Sequence, residues 1–219
     1  MTLPVSNKTL RIALLLSALF SSPLMAADIQ AGKQIVMSGN NKGATACQSC
    51  HGANGAGMAA ANFPRLAGLN ASYMTKQLQD FASGARSNPI MQPIAKALST
   101  KEAEDVAAYY AAQKAPETAP KADAGVLEEG KRIVELGDWD NTIPACVKCH
   151  GPGARGVGVS FPALAGQHAS YIESQLNAWK QGTRKGDPEQ LMKGISDRLS
   201  MDQIKAVAAY LASMKPAAQ

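Results

Sequence analysis

What this chain has little of narrows the reading first. Aromatic residues fill only 5% of its 219 positions. Two domains of ~90 residues built from so few large side chains would have thin cores, so apolar bulk has to come from elsewhere. Beyond the N-terminus there is no apolar stretch of the ~20 residues that a spanning helix needs. No Lys/Arg run and no interleaving of basic and aromatic residues supports nucleic-acid binding. No Ser/His/Asp set and no carboxylate pair stands out, and strand patterns are weak throughout. The chain has only four cysteines and three histidines, and they are not scattered.

All four cysteines fall in two pentapeptides, Cys47-Gln48-Ser49-Cys50-His51 and Cys146-Val147-Lys148-Cys149-His150. Both read C-x-x-C-H. Two thiols on one helical turn can add to the two vinyl groups of a haem, and the adjacent histidine then faces the iron. Other uses of such pairs fit less well. A thioredoxin-like redox pair wants a βαβ setting and a single C-x-x-C, and a four-cysteine zinc site commonly separates its knuckles by ~15–20 residues. Here 95 residues intervene, and neither zinc nor a disulfide explains a histidine after each pair. The reading is two covalently bound c-type haems, with His51 and His150 as iron ligands.

The N-terminus reads as an export signal spanning residues 1–26. Lys8 and Arg11 supply a positive start, Ile12 to Phe20 an apolar run, and Ser21 to Ala27 small residues around a cleavage site. Export to the periplasm fits covalent haem attachment. Loss of Lys8 and Arg11 lowers the formal charge from +5 to +3. Each ferric haem with its propionates then subtracts about one more, so the basic character of the bare sequence carries no case for nucleic-acid binding.

The rest of the chain is a duplication. Gly32-Lys33-Gln34-Ile35-Val36 matches Gly130-Lys131-Arg132-Ile133-Val134, and Phe63-Pro64-Arg65-Leu66-Ala67-Gly68 matches Phe161-Pro162-Ala163-Leu164-Ala165-Gly166, both at an offset of 98. After a three-residue insertion near Gly186–Gln190 the offset becomes 101, pairing Met91 with Met192 and Ala107-Ala108-Tyr109 with Ala208-Ala209-Tyr210. The expected architecture is all-α: one domain over residues 27–115, an extended Ala/Pro-rich linker over 116–123, and a second domain over 124–219. Each copy shows three helical segments. The first runs from about Asp28 to Ser38, and from about Asp123 to Leu136, stopped by Gly39 and Gly137. The middle one carries Met74, Leu78 and Phe81, or Ile172, Leu176 and Trp179, on one face, and ends at Gly84 or Gly182. The last opens on a capping box at Ser99-Thr100-Lys101-Glu102 or Ser200-Met201-Asp202-Gln203. Its buried stripe is Ala103, Val106, Ala107, Tyr110, or Ile204, Val207, Ala208, Leu211. Gly32 and Gly130 would let the first helix pass close to Tyr109 and Tyr210 of the last.

The sixth iron ligand sets the function. Methionine sulfur closes the site and raises the potential; an open position invites peroxide. His168 has Asn70 as its repeat partner, so it cannot serve both sites and reads as a surface residue. Met91 and Met192 are aligned downstream of the two motifs in the loop before the last helix, and their repetition points to ligation over gap-filling in the core. Met74 sits in the helical stripe and reads as core. Pro64 and Pro162 follow their histidines by 13 and 12 residues; that loop is either a carbonyl acceptor for the histidine Nδ1–H or simply a rigid turn. Arg65, Arg86 and Arg184 read as propionate partners or, for any single one, as solvated surface.

With its P-x-L-A-G motif, Y-x-x-x-Q-L helix, G-x-R turn, methionine loop and A-A-Y helix, each repeated, the chain resembles the c4-type dihaem cytochromes, tandem class I cytochrome c domains. The resemblance covers nearly all of the mature chain. It implies a periplasmic electron carrier, not an enzyme, often associated peripherally with the inner membrane. Such a carrier passes electrons from the cytochrome bc complex to haem-copper terminal oxidases, with its two haems meeting at the domain interface. Alternatives are the dihaem subunit of a flavocytochrome c sulfide dehydrogenase and a dihaem peroxidase, which needs one open iron. Asp138 and Asp140 ahead of the second motif, against Asn40-Asn41-Lys42-Gly43 ahead of the first, lead to the expectation of a lower potential at the second haem. Lys148 opposes them.

Overall fold

A computed structural model describes residues 26–117 and 122–216. The export-signal reading therefore lies outside the described residues except for Ala26, and the expected linker lies partly outside them. Ten α-helices, five in each half, make up the fold among these residues. In the first half they are α1 (Ile29–Ser38), α2 (Gln48–His51), α3 (Ala71–Ser83), α4 (Met91–Lys96) and α5 (Thr100–Ala111). In the second they are α6 (Ala124–Leu136), α7 (Cys146–His150), α8 (Ala169–Lys180), α9 (Leu191–Arg198) and α10 (Met201–Ser213). Among the described residues the β-type pairings are isolated bridges only.

Local chemistry sets the helix ends. Asp28 accepts from the backbone N–H groups of Gln30 and Ala31 at the head of α1, and Asp123 does the same for Gly125 and Val126 at the head of α6. Each satisfies donors that a helix leaves without partners. Gly39 and Gly137 follow with positive φ, 76° and 85°. The two capping boxes form in full: Ser99 with Glu102, Ser200 with Gln203. Two short helices, α4 and α9, form where the sequence reads as a methionine loop. Pro93 lies in the first turn of α4, where its missing N–H is not needed. The three-residue insertion becomes a 3₁₀ turn, Pro188–Gln190, ahead of α9.

Each half is held by a crossing of its first and last helices. A Cβ on Gly32 would lie 2.0 Å from the carbonyl oxygen of Asp105, and one on Gly130 2.0 Å from that of Ala206. Any side chain there would drive the backbones apart. In the second half the crossing also touches Tyr210, as expected; in the first it falls one turn before Tyr109. Two apolar clusters follow: Ile35, Val36, Met74, Val106, Ala107 and Tyr110 in one half, and Ile133, Val134, Ile143, Ile172, Leu176, Ile204 and Leu211 in the other. The stripes expected on α5 and α10 are buried at every position named.

The two halves pack against each other through a pseudo-two-fold contact. Ser87 N donates to Thr183 O at 2.9 Å and Lys185 N to Ala85 O at 2.6 Å, around an antiparallel bridge of Arg86 with Arg184. The inserted turn also reaches across, where Lys76 Nζ donates to Gly186 O at 2.9 Å.

Candidate haem sites and the surface between them

In both copies the C-x-x-C-H segment winds into a single helical turn, α2 and α7. None of the four thiols is in a disulfide. Burial pushes Cys47 and Cys146 up to about 11, so neither is a ready thiolate. Among the described residues no three of His, Cys, Asp and Glu gather as a metal cluster, so the two pairs do not converge into one zinc site.

Each histidine is oriented by the loop that follows it. His51 Nδ1 lies 3.1 Å from Pro64 O, and His150 Nδ1 lies 2.8 Å from Pro162 O. Both rings are buried, and Phe63 and Phe161 flank them with centroids 6.1 Å away. Burial lowers both histidine pKa values, opposed by the carbonyl acceptors. A neutral ring that donates from Nδ1 keeps the Nε2 lone pair for a metal, and the acceptor fixes the tautomer. Of the two readings of Pro64 and Pro162, the carbonyl acceptor is therefore realised in both halves. The loop keeps its path through close backbone approaches: Gly57, at φ 75°, sits where a Cβ would meet the Pro64 carbonyl at 2.5 Å.

Met91 and Met192 open α4 and lie in the first turn of α9, both half-buried. Met192 packs against the second core with Trp179 and Ile195. Lys180 caps the far end of α9, its Nζ donating to the carbonyls of Ser196, Asp197 and Leu199 at 2.8–2.9 Å.

Three arginines and a histidine depart from the surface reading. Arg65, Arg86 and Arg184 are 2%, 5% and 7% exposed. The reason is the interface, whose partners lie about a hundred residues away in sequence. Arg65 donates to Ala67 O within its own half and to Ala165 O and Gly166 O across the interface. Gln167 clasps the Arg65 backbone from the other side, accepting from its N–H and donating to its carbonyl, both at 2.9 Å. Desolvation pushes Arg65 down to about 10. His168 is half-buried beside this clasp, with Nε2 3.0 Å from Ala56 O of the first half.

Arg86 and Arg184 form the centre. Each donates to the glutamine of its own half, Arg86 to Gln77 at 3.0 Å and Arg184 to Gln175 at 3.1 Å. Each also crosses over, Arg86 to Gln175 and Tyr171, Arg184 to Gln77 at 2.8 Å and Tyr73 at 3.1 Å. Arg86 stacks on Phe81 at 4.4 Å and Arg184 on Trp179 at 4.0 Å. Burial lowers Arg184, and the like charge of Arg86 lowers it further. Burial would raise Tyr171, but the two guanidinium charges outweigh it and the net shift is down. Among the described residues no carboxylate is hydrogen-bonded or ion-paired to either guanidinium. Buried charge without a counter-charge is costly, and a haem brings carboxylates. Paired thiols on one turn, a tautomer-fixed histidine in each half and uncompensated cations between the halves all fit two covalently attached haems.

Comparison with known proteins agrees. The family model described as cytochrome c matches residues 29–113 and again 127–215. The chain is 53% identical over 197 residues to the thiosulfate dehydrogenase electron acceptor of Stutzerimonas stutzeri, covering 90% of each. Its fold matches the thiosulfate dehydrogenase of Marichromatium purpuratum with a TM-score of 0.80 and 41% identity, covering 85% of this chain and 40% of that one. It also matches reduced cytochrome c4 from Pseudomonas stutzeri with a TM-score of 0.76 and 33% identity, over 86% of this chain and 100% of that one. Two attachment turns, two oriented histidines and two family matches in tandem place the chain in the cytochrome c family, as a dihaem electron carrier of the c4 type with two covalently bound c-type haems.

Proposed function

We propose that this carrier accepts electrons from a thiosulfate dehydrogenase in the periplasm and hands them on toward a terminal oxidase. The observation that carries the choice of donor is the likeness, over nine-tenths of both chains, to a protein named for accepting electrons from that enzyme. When bound, each haem supplies a one-electron ferric/ferrous couple. The chain would supply the rest: His51 and His150 with Met91 and Met192 would ligate the irons, Cys47, Cys50, Cys146 and Cys149 would form the thioether links, and the interface would hold the two sites together. Sulfur ligation at both irons would leave no open position for peroxide and would favour a relatively high potential. Among the described residues no helix is long and apolar enough to cross a membrane.

The cytochrome bc complex is the competing donor, supported by the resemblance to cytochrome c4. Mixing the oxidised protein with thiosulfate and catalytic thiosulfate dehydrogenase separates the two. Fast reduction of both haems that needs the dehydrogenase supports the proposal. Reduction by a quinol-fed bc complex alone, with none from thiosulfate, overturns it.

A further inference from the structure

The short helices that carry Met91 and Met192 are anchored by different side chains. In the first half Asn40 Nδ2 donates at 2.7 Å to the carbonyl of Ala97, at the end of α4. The repeat counterpart of Asn40, at an offset of 98, is Asp138. Hydrogen bonds from Asn141 and Gln203 hold the Asp138 carboxyl below the usual carboxylate range, so it stays ionised and can only accept. The donor at the end of the methionine helix is lost from that position, and the second half supplies one from elsewhere.

Lys180, the last residue of α8, stands where the first half has Ala82. Its Nζ donates to Ser196 O and Asp197 O at 2.9 Å and to Leu199 O at 2.8 Å. The last carbonyls of a helix have no partner within it, and three bonds use every donor of an ammonium group. A cation at this place also meets the negative end of α9. α9 spans only Leu191–Arg198, too short to persist as a helix in water without outside support. Its position is therefore set by what it is tied to. α8 is itself fixed in the second core through Ile172 and Leu176. Met192 lies in the first turn of the rod whose last turn Lys180 holds, so a shift at the anchored end moves the sulfur.

We propose that Lys180 is the positioning residue for Met192, holding α9 where the methionine sulfur meets the second iron, as Asn40 holds α4 for Met91. The proposal rests on the reading of the two methionines as iron ligands and is independent of which enzyme supplies electrons. Asn40 with Ala82, and Asp138 with Lys180, are two solutions to one problem. Where the first position of the pair keeps an amide donor, the second needs no cation; where it becomes a carboxylate, a lysine takes over. Without the ammonium, three carbonyls lose their donor and the end of α9 loosens. The sulfur then leaves the iron while His150 stays in place, because His150 is held separately by Pro162 O at 2.8 Å.

The test uses the holoprotein. The unsubstituted protein should show two ligated-methionine methyl resonances when reduced and a methionine–iron band from both haems when oxidised. Lys180→Met keeps the apolar stem and removes the three donors. It should lose about half of that band, lose one of the two methyl resonances, and open one haem per chain to imidazole. Lys180→Arg, which keeps donors and charge, should retain the full band. Adding Asp138→Asn to Lys180→Met should recover part of what was lost. If Lys180→Met does not fold, Asn40→Ala carries the same readout at the other haem. Lowered thermal stability with the band and both methyl resonances intact would make Lys180 a packing residue and overturn the proposal. An unsubstituted protein without two ligated methionines would overturn the ligand reading itself, and the proposal with it.

Discussion

The two halves of this molecule are built to one plan, yet they do not do the same work. Positions that repeat make the sites: the paired cysteines, the histidine, the proline whose carbonyl accepts from it, and the glycine at the helix crossing. The repeated arginines, Arg86 and Arg184, build a cluster symmetric enough for each to contact both glutamines. Positions that differ make the joint and the contrast between sites. Arg65 has Ala163 as its counterpart, Gln167 has Leu69 and His168 has Asn70. These unmatched residues fasten the halves in one arrangement through contacts that symmetry would not provide. Duplication thus explains the chemistry, and divergence explains the assembly.

The strongest way to break one half without the other is at its helix crossing. Gly130→Val would place side-chain atoms inside the Ala206 carbonyl, and overpacking of a fixed core costs about 1–3 kcal/mol, here at the upper end because the clash is with backbone. Thermal unfolding of the holoprotein should split into two transitions, with the second-half transition much lower. A single unshifted transition would show that the crossing is not needed.

Next comes the clasp. Arg65→Ala removes three donated bonds from a buried cation, and hydrogen bonds to charged groups contribute roughly 1.5–3 kcal/mol each at most. Not all of that is lost, because the charge also escapes its desolvation. Hydrogen exchange should rise in the loops at 64–68 and 163–167 while both attachment turns stay protected. Protection that is unchanged at 163–167 would mean that the clasp is incidental.

The smallest effect is one of pH. Burial lowers the pKa of His168, helped by the charge of Arg65 and opposed by the Ala56 carbonyl. A histidine depressed in the folded state binds fewer protons than in the unfolded chain. Its contribution is therefore present above the unfolded value of about 6.5 and is lost as pH falls below it. The interface should loosen slightly on acidification, and His168→Asn, the residue of the other half, should flatten that slope. An unchanged slope would assign it to other groups.

Much of this was legible in the residues alone. Helix ends could be read because their causes are local: Asp28 and Asp123 as caps, Gly39 and Gly137 as stops, Ser99 and Ser200 opening capping boxes. The attachment turns were legible because C-x-x-C-H states its own chemistry. What was not legible depends on distant partners. Nothing near Arg65, Arg86, Arg184 or His168 in sequence indicates burial, since the groups that cover them lie about 100 residues away. The helices α4 and α9 were missed because they are short and contain the poor helix formers Pro93 and Gly194, while packing against α3 and α8 holds both.

The central claim is that two haems, each closed by histidine and methionine, sit in one chain at unequal potential. Haem quantitation followed by a spectroelectrochemical titration tests it most directly. The account predicts two haems per chain, a weak methionine–iron absorption band at the red end of the oxidised spectrum, and two resolved one-electron steps. One haem per chain, a high-spin ferric state with peroxide turnover, or a single unresolved step would contradict it.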